Sequence, residues 1–320
     1  MTSAGRGIHE TAVVDPAAQI GAHVSVGPYC VVGPQVVLND GVRLESHVTV
    51  HGHTTVGAGS TIQSHVTLGA LPQDLKYSGE PSHLVLGERC RVAEYALLSG
   101  GTAAGGGITS VGPGCFIMSH CHVAHDCILG EGVLLASGAA LAGHVHVGDG
   151  ARISGYSCVQ QRVSIGSGAF LGGGSVLDHD LIPHGVAVGN RAQLLSINIR
   201  GLRRRQASAT EQRMLLSAFR YLFDTGPSGY FPPLPLPPLP TLHERASQID
   251  ASQHPRLTEL IHFILGHRAV SALQPPGGNA SGAVEGAGMA ESHAPLCLPP
   301  RRNELLPGAT SSRVDASTYQ

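Results

Sequence analysis

The segment SHCHVAHDC, residues 119–127, puts three histidines and two cysteines into nine positions. Two chemistries fit those residue types. Histidine changes charge near neutral pH and serves as a general base. Histidine and cysteine together also ligate metal ions such as zinc. Which chemistry is open depends on which side chains share a face, and the backbone period sets that.

The period is six. Every sixth residue from Ile8 is aliphatic: Val14, Ile20, Val26, Val32, Leu38, Leu44, Val50, Val56, Ile62 and Leu68. The series resumes at Leu86, Val92 and Leu98. It resumes again at Val111 and runs through Ile117, Val123, Leu129, Leu135, Leu141, Val147, Ile153, Val159, Ile165 and Leu171 to Leu177. The position two before each aliphatic is usually small or β-branched, and glycine often follows the aliphatic, as at Gly21, Gly57, Gly112 and Gly130. This is the hexapeptide repeat of a parallel β-helix. Three hexads make a triangular coil of about 18 residues whose flat faces are short strands stacked at the usual interstrand spacing. Corners are expected on Gly, Asn or Asp. Likeness to the known class makes the helix left-handed.

The fold expected is therefore an all-β solenoid over 1–195, with loops thrown out where the repeat breaks at 69–84 and 99–110. The period slips near Pro183. A small α-helical C-terminal domain follows over 196–270. Within it, Ser208 and Glu211 form a capping box ahead of Leu215, Phe219 and Leu222 at helical spacing, and Gly226-Pro227 is expected to stop that helix. Within the proline-rich insert 227–240, GYFPPLPLPPLP (229–240) reads as polyproline II, and a second helix is expected over 255–267. The stretch 271–320 has the composition of a disordered tail.

Composition narrows the function. Formal charge is −2 and only 13% of residues are charged, which gives no basic footprint for nucleic acid. No apolar run is long enough for a transmembrane helix, and MTSAGRGIHE lacks a signal-peptide core. The expected compartment is the cytoplasm, where cysteines stay reduced.

The register then sorts the opening segment. Cys121 and Cys127 fall at small inward positions, as do Cys30, Cys90 and Cys115, and read as buried hydrophobes. Cys158 is off register, and Cys297 lies in the tail. His120, His122 and His125 fall at outward positions. One coil step takes His125 to Gly143 and a second reaches Gln161, while the same step takes Asp126 to His144. A polar cluster of His122, Asp126 and His144 beside the column His125–Gly143–Gln161 suits general-base work. Against this stand 19 histidines spread over the chain, many simply solvated. A His₃ metal site drawing on His120, His125 and His83 is the competing reading.

Four segments resemble the UDP-N-acetylglucosamine O-acyltransferases, which open lipid A synthesis in Gram-negative bacteria. They are VHGHTTVG (50–57), GALPQDLKYSGEP (69–81), HVAHDCILG (122–130) with LAGH (141–144), and GNRAQLLSINIRGLRRR (189–205). The resemblance spans about 8–223 and extends toward 268. It implies a homotrimer that takes UDP-N-acetylglucosamine and a 3-hydroxyacyl chain on acyl carrier protein in clefts between subunits, with no metal and no small cofactor. It implies His125 as general base, Asp126 as the group that orients it, and the Gly143 N–H as oxyanion donor. Gln73, Asp74 and Lys76 would contact sugar and acyl groups. His122, Gln161, Asn198, Arg204 and Arg205 would handle the nucleotide, with His144 in the same substrate-binding set. Gly173 would leave room at the far end of the acyl groove, where Arg191 would shorten or redirect it.

The chain departs from the family pattern at Ser99 and Gly100, where the family carries His-Arg. It departs again at Gln160 and Arg162, which flank Gln161, and at Arg200, where the family carries Glu. These changes are expected to remove polar or aromatic groups near substrate, leaving the base and oxyanion positions intact while bearing on affinity and on the sugar nucleotide chosen. Two other functions fit parts of the pattern: a trimeric zinc enzyme of the carbonic anhydrase type, and a hexapeptide scaffold with impaired catalysis or specificity for another sugar nucleotide.

Overall fold

A computed structural model of the chain describes residues 7–223 and 239–266. The hexads fold as the pattern requires. Most strands are two residues long, as in Val13–Val14, Gln19–Ile20 and Ser25–Val26, and the second residue is the periodic aliphatic. Through the repeats, strands pair in parallel with those one coil away: Val14 with Val32, Val32 with Val50, Val123 with Leu141, Leu141 with Val159. Among the described residues this yields three sheets of nine, eight and ten strands, the walls of a left-handed triangular prism. The aliphatics stack inside it as one continuous core. Cys30, Cys90, Cys115, Cys121 and Cys127 are buried there, and Cys158 is exposed, as the register requires. The glycine after the aliphatic has a steric reason: a Cβ on Gly57 would collide with the backbone of Gly87 in the next coil.

The corners differ from expectation. A left-handed residue recurs in most hexads, and it is often His, Tyr or Arg instead of Gly, Asn or Asp. One corner carries Tyr29, His47, His65, Tyr95 and His120, with φ of 58, 59, 64, 62 and 59°. A non-glycine residue pays about 1–2 kcal/mol for that conformation. Here each ring lies on the next, with centroids 5.0, 4.7, 4.9 and 5.0 Å apart along the ladder. Ring contacts contribute roughly 0.5–1.5 kcal/mol per pair, which offsets part of the strain.

The two breaks are real but shorter than the pattern suggested. Val56 pairs with Leu86 and Leu86 with Val111, so extra chain leaves the wall between coils. Strands His83–Leu86 and Ile108–Val111 run into the regions assigned to loops, leaving 71–82 and 100–107 outside the sheets. The two loops are tied together. The Ser82 hydroxyl donates to the Gly101 carbonyl at 2.7 Å, and the His83 N–H donates to the Gly107 carbonyl at 2.9 Å.

After Pro183 the chain turns back. Gly185–Val188 pairs antiparallel with Gln193–Ile197, which ends the solenoid. Helices α1 (Ile199–Arg204), α2 (Ala209–Phe223), α3 (Leu239–Ser247) and α4 (Pro255–Ile264) follow. The capping box forms: the Ser208 N–H donates to Glu211 at 2.8 Å and the Glu211 N–H to the Ser208 hydroxyl at 3.1 Å. Leu215, Phe219 and Leu222 are buried where α2 packs on α3, α4 and strand Gln193–Ile197. Leu239 and Pro240, expected in polyproline II, instead open α3; proline is tolerated in a first turn, where its missing N–H has no intrahelical partner. The rest of the proline-rich insert, the stop at Gly226-Pro227, the stretch 271–320 and Cys297 lie outside the described residues. No described helix is long and apolar enough to cross a membrane.

Candidate active site

Strand His122–Val123 leads into a corner made by Ala124, His125 and Asp126. Asp126 is the left-handed residue of that corner, with φ of 61°; Asp is one of the few side chains that visit this region routinely. One coil on, Gly143 and His144 form the equivalent corner. The coils are joined there by the His144 N–H donating to the His125 carbonyl at 2.9 Å and the Arg162 N–H to the Gly143 carbonyl at 3.1 Å. The column His125–Gly143–Gln161 is thus present.

His125 and Asp126 face outward from the prism, yet they are 5% and 3% exposed. The expectation of an open histidine cluster is corrected here: the chain's own loop 100–107 covers the corner. A buried carboxylate needs donors, and Asp126 has them. Its Oδ1 accepts the Thr102 N–H at 2.7 Å, and its Oδ2 accepts the Thr102 hydroxyl at 2.7 Å. The same Oδ2 lies 2.7 Å from His125 Nδ1. The Asp126 N–H donates to the Thr109 hydroxyl at 2.8 Å. Gly105 packs its α-carbon against the carboxylate, where any side chain would collide. The carboxylate assigns the proton of neutral His125 to Nδ1 and leaves Nε2 unprotonated. His144 stands edge-on to the His125 ring, with centroids 5.1 Å apart, and its Nε2 is 3.6 Å from Asp126 Oδ2, beyond a hydrogen bond.

Gly143 is the floor of the site. A Cβ there would come within 2.6 Å of His125 Nε2, so the imidazole fits because residue 143 has no side chain. Its N–H has no acceptor among the described residues. Burial lowers the pKa of His122 from the usual histidine range, and proximity to His125 adds to the shift. Burial also lowers His144; Asp126 opposes that shift, while Arg162 and His125 add to it. Asp74, from loop 71–82, is near enough to act on His144 as well. Gln73 and Lys76 of the same loop are exposed, as is Gln161.

The remaining expected residues lie elsewhere on the chain. Asn198, Arg204 and Arg205 line a cleft of about 420 Å³ with Glu131, Asp149, Arg152 and Gly201, at a different corner of the prism. The Asn198 side chain caps α1 by accepting the Gly201 N–H at 2.8 Å, and donates to the Gly168 carbonyl at 2.9 Å. Arg205 donates to the Asp149 carbonyl at 3.0 Å. Arg152 was not picked out by the sequence pattern, since an outward strand position looks solvated; here it adds a guanidinium to the cleft, its pKa lowered by burial and by Arg204. Gly173 and Arg191 sit at a third corner, on either side of strand Val176–Leu177, with Arg191 Nη1 3.7 Å from Asp178 Oδ2.

The metal reading does not hold as drawn. His120 belongs to the ring ladder, and His83 stacks on His53 at 4.7 Å in another sheet, so neither joins His125. His125, Asp126 and His144 do bring three donor atoms within 4.8 Å, but both Asp126 oxygens are already engaged by Thr102 and His125. Among the departures, Ser99 is fully buried, and its hydroxyl has no hydrogen-bond partner among the described residues. Arg162 does act at the site, as a cation beside His144.

Residues 180–270 match the family model described as Udp N-acetylglucosamine O-acyltransferase, Domain 2, and residues 108–143 match Bacterial transferase hexapeptide (six repeats). An acyl-[acyl-carrier-protein]–UDP-N-acetylglucosamine O-acyltransferase of Burkholderia vietnamiensis is 48% identical over 219 residues, 68% of this chain and 84% of that one. The enzyme of the same name from Aliarcobacter butzleri is 41% identical over the same shares. The solved UDP-N-acetylglucosamine acyltransferase of Campylobacter jejuni is 33% identical, with a TM-score of 0.73, covering 84% of this chain and all of that one.

Proposed function

The chain belongs to the UDP-N-acetylglucosamine O-acyltransferase family, and on that premise we infer that it moves a 3-hydroxyacyl chain from acyl carrier protein to the 3-hydroxyl of UDP-N-acetylglucosamine, the first step of lipid A synthesis. The observation that carries the reading is the buried His125–Asp126 pair over Gly143. His125 Nε2 takes the proton from the sugar 3-hydroxyl as that oxygen attacks the thioester carbonyl. Negative charge gathers on the former carbonyl oxygen, and the unpartnered Gly143 N–H donates to it. The carbon–sulfur bond then breaks, the ester forms, and the imidazolium returns its proton to the leaving thiolate. Asp126 holds the ring and steadies its charge while the proton resides there.

The nucleotide end is assigned to the second cleft. Guanidiniums of Arg152, Arg204 and Arg205 suit a diphosphate by charge and paired donors. That cleft and the His125 corner occupy different corners of one chain, so one sugar nucleotide reaches both only if a neighbouring subunit supplies one of them. This favours a working site assembled between copies in a homotrimer, with acyl carrier protein delivering its chain along the Gly173–Arg191 corner.

Subunit complementation tests this arrangement. His125→Ala and Arg204→Ala chains are each expected to be nearly inactive at subsaturating UDP-N-acetylglucosamine. Co-refolded mixtures are expected to regain activity, because some interfaces pair an intact base corner with an intact arginine cleft. Mixtures no better than the two single variants would place the whole site within one chain.

A further inference from the structure

We propose that Thr102 is a positioning residue for the transfer reaction, clamping Asp126 so that the carboxylate serves His125 and not His144. The proposal rests on the reading of His125 as the base.

Thr102 sits at the N-cap of a short 3₁₀ turn, Ala103–Gly105. A threonine there ordinarily turns its hydroxyl to accept an N–H of the turn it precedes. Thr102 does not: its side chain makes no cap hydrogen bond. The hydroxyl points the other way and donates to Asp126 Oδ2 at 2.7 Å, while the backbone N–H takes Oδ1 at 2.7 Å. The turn is held by its main chain, with the Gly105 and Gly107 N–H groups donating to the Thr102 carbonyl at 3.0 and 2.6 Å. One residue therefore grips both oxygens of a carboxylate that is 3% exposed, and is itself 2% exposed.

The grip matters because Asp126 has two imidazoles within reach. Oδ2 lies 2.7 Å from His125 Nδ1 and 3.6 Å from His144 Nε2. A carboxylate adjacent in sequence to its histidine is weakly oriented on its own, since both side chains can rotate. With both oxygens fixed by Thr102, the carboxylate plane is set, and the remaining acceptor direction of Oδ2 meets His125. The base then keeps its proton on Nδ1 and presents Nε2 to the substrate hydroxyl. Thr102 in turn is carried by the contacts between the two inserted loops, from the Ser82 hydroxyl to the Gly101 carbonyl and from the Gly101 N–H to the His83 carbonyl at 3.1 Å.

The test compares native chain with Thr102→Val, Thr102→Ala and Thr102→Ser. Valine keeps the shape and removes the hydroxyl; serine keeps the hydroxyl. Thr102→Val and Thr102→Ala are expected to lose about ten- to a hundredfold in kcat, the scale of a small misplacement of a reacting group, with KM for both substrates nearly unchanged. Thr102→Ser is expected to stay within about threefold of native. Should valine prevent folding, alanine carries the comparison. Imidazole ¹⁵N spectra supply the second readout: native His125 is expected to show the Nδ1–H form, and Thr102→Ala a mixture of tautomers. Native kcat in folded Thr102→Ala with an unchanged ¹⁵N signature overturns the proposal, as does a loss confined to KM. If native chain transfers no acyl group to UDP-N-acetylglucosamine, the functional reading fails, and the ¹⁵N comparison still decides whether Thr102 orients His125.

Discussion

Replacing His125 by alanine is expected to lower kcat by at least about a hundredfold, with KM for UDP-N-acetylglucosamine changed little. The size follows from general-base catalysis, which contributes on the order of 10²–10⁴. The KM expectation follows from the geometry. The His125 ring is buried, packed on Gly143 and tied to Asp126, and so offers the substrate mainly its Nε2 edge. An interaction that strengthens as the proton moves acts on the transition state, so its loss falls on kcat and on kcat/KM alike. His144 is a control within the same corner. Its Nε2 stands 3.6 Å from Asp126 and lacks the close carboxylate partner that His125 has. His144→Ala is therefore expected to act more on KM, through substrate contact. Steady-state kinetics of the two variants, with melting temperatures to confirm folding, separate these roles. Equal kcat losses in both would mean that the pair, and not His125 alone, forms the base.

Gly143→Ala is the second large effect expected, about 10²–10³ in kcat with stability nearly kept. Residue 143 does not require a left-handed conformation, because the corner's positive φ belongs to His144, at 60°. Alanine is thus tolerated by the backbone. The damage is local: the new Cβ would sit 2.6 Å from His125 Nε2, so the imidazole must leave its position. The methyl group would also crowd the N–H assigned to the oxyanion, and losing one such donor costs about 10²–10³. Kinetics beside thermal melts check this. Native kcat in Gly143→Ala would show that His125 is not the base and the Gly143 N–H is not the oxyanion donor.

Much of this site could be read from spacing because a solenoid converts sequence distance into position. One coil step placed Gly143 beside His125 and His144 beside Asp126, and both neighbours are present. Inward and outward positions were equally legible, which is why Cys121 and Cys127 separate from the histidines between them. Legibility failed where the coil length changes. Thr102 and Gly105 lie on an inserted loop with no hexad position, so spacing gave no hint that they close over Asp126. Thr109 sits just past that loop, where the register has not yet resumed. The covering loop also explains why an outward-facing His125 is buried. His120 was misplaced for a different reason. It lies five residues from His125 but at another corner, where it continues a stack of rings that a hexad template expecting glycine or asparagine does not anticipate. Ser99 shows a related limit: it is fully buried at a strand end, where the loop leaves the wall.

The most direct measurement is product identification after native chain is incubated with 3-hydroxyacyl carrier protein and UDP-N-acetylglucosamine, without added metal and in the presence of a zinc chelator. Mass spectrometry and proton NMR are expected to show one acyl group esterified to the sugar 3-hydroxyl and an equal amount of free carrier-protein thiol. Folded protein that yields no acylated sugar nucleotide, or yields it only when zinc is restored, would contradict the account of His125 as the base over Gly143.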